Sequence, residues 1–320
     1  MIITYLLGAG ASANAVPVDS GIKDAIKEII DSLTTNNNIP ESKQILIEDL
    51  EWLCEAEKFK SIDMFAKKLF LKNRDSSDEE LKRLKLAYSV FLNMRQQEYD
   101  NDSRYDNFLV SILQNTISSF PKNIRILTWN YDLQILKSYS KIIGQNIEPW
   151  HNQLPMYFKN CTTEFDTNSF GVIHLNGCAT FRGWDYPSLG HPLISDKGPL
   201  NDSLLEKIIN AYIAQRNNNN FCELSFAFEK ERKSCDMMKI IEQSTTKTES
   251  LVIIGYSFPY FNRTIDKTII NSMPLLKKIY IQDIDTETVE EKLSSFLIKS
   301  DIEIKRVSDI KQFYLPNELA

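Results

Sequence analysis

Six stretches of the chain carry short runs rich in apolar and β-branched residues: 2–7, 124–128, 172–175, 251–254, 279–281 and 302–307. The first, ended by Gly8, has no polar alternation, the pattern of a strand covered on both faces. After the first run the period becomes helical. Ile22, Ala25, Ile26, Ile29, Ile30 and Leu33 recur at three- and four-residue spacing behind Ser20, a residue type that caps helices. The last quarter predicts strand 251–254, helix 262–273, strand 279–281, helix 286–298 and strand 302–307 with short connections. Such alternation implies right-handed βαβ crossovers and a parallel sheet.

Residues 40–120 differ, being rich in Glu, Lys, Leu and aromatics with no strand-like run. A capping box at Ser77-Asp-Glu-Glu80 leads into Leu81, Leu84, Ala87, Tyr88 and Phe91, which predicts an amphipathic helix. Residues 178–250 mix loops and helices, broken by the polar run 217–220, a solvated turn. The expected architecture is therefore α/β: a Rossmann-like parallel sheet of about six strands with helical insertions. Segments 1–39, 121–177 and 251–320 would form the core, 40–120 a helical insertion and 178–250 a loop and helix insertion.

Composition narrows the class. The 320 residues are 42% hydrophobic and 25% charged, which is the profile of an ordinary folded chain. A formal net charge of −6 argues against sequence-blind nucleic-acid binding, which needs Lys and Arg facing the phosphates. No apolar run approaches the ~20 residues that span a bilayer. No Lys or Arg precedes Lys23, so the apolar start lacks the positive region of a signal peptide and is expected to be mature structure. Cys54, Cys161, Cys178, Cys222 and Cys235 are scattered, as expected of reduced thiols in cytoplasm and of neither a disulfide framework nor a zinc ribbon.

Candidate chemistry sits where the apolar runs end. Gly8-Ala-Gly-Ala-Ser-Ala13 follows the first run and precedes a helix, matching the glycine pattern by which backbone N–H groups approach a pyrophosphate; a small-residue turn packing strand on helix gives the same pattern. No second strand with an acidic end follows within ~20 residues, which disfavours a hydride-transferring dehydrogenase. Thr128-Trp-Asn-Tyr-Asp132 ends the second run, where ligands sit in open parallel sheets, although Asn and Asp also close turns. Only His151, His174 and His191 are available as imidazole bases, and His174 lies inside an apolar run, where burial demands a partner. Leu251-Val-Ile-Ile-Gly-Tyr-Ser-Phe-Pro259 and Ile279-Tyr-Ile-Gln-Asp283 end two further strands in polar groups.

Four motifs in order, Gly-Ala-Gly-Ala-Ser at 8–12, Thr-Trp-Asn-Tyr-Asp at 128–132, His-Leu-Asn-Gly at 174–177 and Ile-Gly-Tyr-Ser-Phe-Pro at 254–259, resemble the sirtuin-fold (SIR2-like) family, and more narrowly the bacterial NAD hydrolases of anti-phage defence. The resemblance covers the core segments and neither insertion. It implies that Gly8, Ala9, Gly10, Ala11 and Ser12 bind the NAD pyrophosphate, while Asn130 and Asp132 line the nicotinamide and ribose pocket. Gly255 and Ser257 would contact the adenosine half, with Asp283 on its ribose.

Two departures sharpen the expectation. The paired Cys-x-x-Cys zinc module of deacylating sirtuins is missing, which leaves hydrolysis of NAD as substrate, with no metal. The family usually places His directly before the Gly of the third motif, and here that position is Asn176. Residues i and i+2 of a strand share a face, so His174 is expected to deliver its ring from the neighbouring position as general base. Asn130 would position water and ribose, and Asp132 would supply charge. The expected function is NAD depletion in abortive infection, switched on within a homo- or hetero-oligomer that includes a defence subunit from the same operon. The alternative is a catalytically weak or inactive regulatory subunit that binds NAD or ADP-ribose, and a weaker reading is an ADP-ribosyl transferase.

Overall fold

The structure, a computed structural model, describes residues 1–35, 39–72, 79–98, 100–113, 119–144, 154–158, 165–182, 190–191, 200–217, 222–229, 235–298 and 301–319. The first apolar run forms β1 (Ile2–Leu7), and all six expected strands are present. In chain order they continue as β2 (Ile124–Thr128), β3 (Met156–Tyr157), β4 (Val172–His174), β5 (Phe181–Arg182), β6 (Gly190–His191), β7 (Thr248–Ile254), β8 (Lys278–Gln282) and β9 (Glu303–Val307). Seven of these make one all-parallel sheet in the order β3-β4-β2-β1-β7-β8-β9, while β5 and β6 pair antiparallel on their own. The seventh sheet strand, β3, is two residues long, too short to carry a periodic signal.

Both faces of the sheet are covered, which is why its central strands read as unbroken apolar runs. Ile3, Tyr5 and Leu7 of β1 pack into one core with Ile124, Ile126 and Val252, together with Tyr105, Phe108 and Leu136 from the covering helices. Leu6 faces the opposite core, with Leu127, Ile173, Leu251 and Ile253 beneath Met237, Ile241, Ile269 and Leu293. Thr4 is the polar exception, and it is matched across the sheet: its hydroxyl meets that of Thr248 at 2.7 Å.

The helices are α1 (Ile22–Thr34), α2 (Glu41–Leu53), α3 (Ile62–Lys72), α4 (Glu79–Glu98), α5 (Ser103–Ile112), α6 (Gln134–Ile143), α7 (Asp202–Asn217), α8 (Cys235–Thr245), α9 (Arg263–Asn271) and α10 (Thr286–Ser294). Helices α1 to α4 join α7 and Phe226 around a third core of their own. Helix α5 lies within the 40–120 stretch in sequence, yet its Tyr105 and Phe108 belong to the sheet's core. Likewise the 178–250 stretch divides: α7 joins the helical core and α8 covers the sheet. Helix α1 is capped by Gly21 without a side-chain bond, so Ser20 is not its cap. Helix α4 begins at Glu79, and residues 77–78 of the expected capping box lie outside the described residues, as do 218–220 of the expected polar turn. Cys54, Cys178 and Cys222 are free thiols. Among the described residues no helix is long and apolar enough to cross a membrane.

Candidate functional site

The strand order reverses between β1 and β7, with β2, β4 and β3 built outward on one side and β8 and β9 on the other. In open parallel sheets a crevice forms at such a reversal, outside the carboxyl ends of the strands. The loops that leave β1 and β7 meet there at backbone contact. Gly8 N–H donates to Ile254 O at 3.0 Å and Gly10 N–H to Gly255 O at 2.9 Å. A Cβ on Gly8 would lie 2.6 Å from Gly255 O, and one on Gly10 2.7 Å from Gly255 Cα. Gly255 itself has φ +58 and would place a Cβ 2.4 Å from Gly10 C. The glycines of the first motif thus serve the approach of two loops to each other. The chain then makes a short 3₁₀ turn, Ala9–Ser12, and α1 starts only at Ile22.

Arg104 fixes this loop from behind. Its Nη2 donates to Gly10 O and Ala11 O, both at 3.1 Å, and to Asp102 Oδ2 at 2.6 Å. Its Nε reaches Asp102 Oδ1 and Oδ2 at 3.0 and 3.1 Å. The Asp102 N–H in turn donates to Gln134 Oε1 at 2.9 Å, tying the loop to the start of α6.

Ser12, Asn130 and Asp132 come together. Asn130 Nδ2 donates to Ser12 Oγ at 3.1 Å, and the Tyr105 hydroxyl lies 3.0 Å from the same oxygen. Asn130 N–H is held by Thr128 Oγ1 at 3.0 Å. Asp132 Oδ1 accepts from Gln134 N–H at 3.1 Å. Burial pushes the Asp132 carboxyl up to about 6, against the lowering pull of the Gln134 N–H and the Ser12 hydroxyl. Burial likewise raises the Tyr105 phenol, so it stays protonated.

These residues open onto a cleft of about 190 Å³. Among its lining residues, Asn176 Nδ2 donates to the Tyr131 hydroxyl at 3.2 Å, which donates to Asp63 Oδ1 at 2.9 Å. Trp129 and Tyr256 also line it, stacked with ring centroids 6.0 Å apart and both donating to buried Asp266. Ser61 and Asp63, and Tyr88 and Leu92 of α4, also line the cleft, so the helical insertion forms part of its wall. Among the described residues that line it there is no Lys, Arg or His.

Of the residues singled out in the sequence, Ala9, Ser12, Asn130, Asp132, Asn176, Gly255 and Ser257 line this cleft. Gly8, Gly10 and Ala11 stand behind it as loop scaffold. His174 does not face it. Its Nδ1 lies 3.4 Å from Asn130 O, its Nε2 is buried without a partner among the described residues, and burial lowers the imidazole to about 4. The shared-face expectation fails because β4 ends at His174 and the chain turns at Gly177, φ +70, so strand alternation does not extend to Asn176. Asp283 is also outside the lining residues, its Oδ1 accepting from Asp285 N–H at 3.0 Å in a local turn. His151 and Cys161 lie outside the described residues.

Sequence reasoning missed Asp63, Asn262, Asp266 and Arg104. Asn262, three residues past Pro259 at the start of α9, sat in a readable position: the turn after a strand's carboxyl end. Asp63 and Arg104 carried no local signal, since each acts on a loop far away in sequence. A doubly wound parallel sheet with a cleft at its strand-order reversal makes this a Rossmann-like α/β protein. No protein-family model matches the chain, and no curated protein matches it.

Proposed function

We propose that the chain is a sirtuin-fold NAD⁺ hydrolase that splits the nicotinamide–ribose bond to give nicotinamide and ADP-ribose. The observation that carries this reading is the convergence of Ser12, Asn130 and Asp132 on one hydrogen-bonded cluster, in a cleft that Gly255 and Ser257 also line. In that reaction the C1′–N bond breaks with its electron pair leaving on nicotinamide, and water oxygen bonds to C1′. Positive charge develops on the ribose, and a cleft lined by Asp63 and Asp132, with no Lys or Arg among its described lining residues, favours it. In this reading Asp132 takes the proton from water; with a carboxyl near 6 it is mostly ionised at pH 7. Asn130, oriented by Ser12 and Thr128, holds ribose and water in line. The base role expected of His174 therefore passes to Asp132, and His174 supports the Asn130 turn.

The second reading, a regulatory subunit that binds NAD or ADP-ribose without turnover, is favoured by one observation: Asn176 fills a cleft position where the family carries an imidazole. Incubating the purified chain with NAD⁺ separates the two. Nicotinamide release that Asp132→Ala and Asn130→Ala each lower by ~10²-fold or more supports hydrolysis; binding without release supports the regulatory subunit. Unrestrained NAD loss would kill the producing cell, so the proposal includes a trigger in the cytoplasm, acting through a homo- or hetero-oligomer with an operon-encoded defence subunit. Constitutive activity of a monomer would contradict that part.

A further inference from the structure

Two hydrogen-bonded relays at the cleft repeat one arrangement. In the first, Asp63 accepts from the Tyr131 hydroxyl at 2.9 Å and that hydroxyl accepts from Asn176 Nδ2 at 3.2 Å. In the second, Asp266 accepts from the Tyr256 hydroxyl at 3.0 and 2.9 Å and that hydroxyl accepts from Asn262 Nδ2 at 3.1 Å. The logic is the same in each. A phenol has one proton, and the carboxylate takes it, so the phenol oxygen can only accept from the amide. The amide must turn its NH₂ toward the tyrosine, and its oxygen is left facing away. Each relay thus fixes which end of the amide is free.

In both cases the freed atom has no partner among the described residues. Asn176 Oδ1 and Asn262 Oδ1 are buried acceptors without a donor, on residues 2% and 3% exposed that line the cleft. A buried acceptor left unmade costs on the order of 1–3 kcal/mol, and a chain that keeps two of them beside one cleft gains that back when a ligand supplies the donors. With no Lys or Arg among the described lining residues, an ionised phosphate is the wrong group for either position, and a neutral O–H or N–H is the right one.

We infer that Asn176 and Asn262 are specificity-determining acceptors that read neutral O–H or N–H donors on the ligand, the donors being sugar hydroxyls or a carboxamide. This rests on the proposed NAD reading, and the test keeps the two apart. Calorimetric titration of the chain with NAD⁺, ADP-ribose and the 3-acetylpyridine analogue of NAD⁺, which lacks the amide N–H, is compared with Asn176→Ala and Asn262→Ala. Each substitution is expected to weaken NAD⁺ binding about 5- to 100-fold. An equal loss with ADP-ribose identifies a sugar hydroxyl as the donor; a loss that vanishes with the acetylpyridine analogue identifies the carboxamide. Tyr131→Phe and Tyr256→Phe, which keep the packing but release the amide, are expected to weaken binding by a smaller factor and serve where an alanine variant does not fold. Wild-type affinity in all four folded variants would overturn the inference alone. A wild-type chain that binds neither NAD⁺ nor ADP-ribose would overturn the NAD reading instead.

Discussion

Substitution of Gly255 by Ala tests whether the β1 and β7 loops must touch for the fold and the cleft to exist. Two costs combine at this position. The backbone sits at φ +58, where a residue with a Cβ loses about 1–2 kcal/mol relative to glycine. The added methyl would also lie 2.4 Å from Gly10 C and 2.5 Å from Ala11 N, both backbone atoms that cannot rotate away. Relief requires the loops to part, with loss of the 2.9 Å Gly10 N–H to Gly255 O bond, and overpacking of this kind costs about 1–3 kcal/mol. The sum, about 2–5 kcal/mol, is a large share of the ~5–15 kcal/mol that holds a typical domain together. Gly144 supplies the control. It has a similar φ, +66, at the end of α6 and, among the described residues, nothing within 4 Å of its would-be Cβ. Gly144→Ala should therefore show the backbone cost alone, about 1–2 kcal/mol. Thermal and urea unfolding of both variants measure the difference, with Gly255→Ala expected to melt lower than Gly144→Ala by ~2–10 °C. If the two variants lose the same stability, the loop contact is not tight and the account of the glycines is wrong.

Other predictions concern the groups behind and inside the cleft. Arg104→Leu leaves buried Asp102 without its partner and releases the Gly10 and Ala11 carbonyls, and is expected to cost ~3–5 kcal/mol in chemical denaturation. The double variant Asp102→Leu with Arg104→Leu, which strands no charge, should recover part of that loss. The folded-state carboxyl of Asp132, near 6, lies above its ordinary value of 3.8, so its contribution to stability is full below pH 3.8 and is lost as pH rises to 6. Asp132→Asn should thus gain stability over wild type as pH climbs through that window, by about 3 kcal/mol at most, read as melting temperature against pH. His174 has the opposite sign: its imidazole is lowered from 6.5 to about 4, so stability is full above pH 6.5 and lost as pH falls toward 4. His174→Gln should flatten the acid limb of the same curve, and an unchanged acid limb would show that this histidine is not buried neutral.

How far the molecule could be read from its sequence depends on the range of the interactions involved. Strands β1, β2, β7 and β8 were legible because both their faces are buried, and burial on both faces is written locally as an apolar run. The position of Asn130 and Asp132 was legible for a topological reason: the carboxyl end of any central parallel strand faces the crevice. The orientation of His174 was not, since it depends on where β4 stops, and a glycine turn three residues later decides that. Helix α5 reads as part of an insertion, yet Tyr105 and Phe108 complete the core over β1, a contact set by tertiary packing. The two Asp-Tyr-Asn relays each join residues that are individually unremarkable in sequence, with Asp63 and Asn176 more than a hundred positions apart. Periodicity reports which side of an element is wet or dry; it carries no record of which distant side chain completes a hydrogen bond.

Determining the crystal structure of the chain with ADP-ribose, the product that keeps both riboses and the pyrophosphate, tests the central claim most directly. The account requires one ligand lying across the strand-order reversal, in the cleft lined by Ser12, Asn130, Asp132, Gly255 and Ser257. Ligand found at another place on the molecule, or a cleft left empty at saturating concentration, would contradict it.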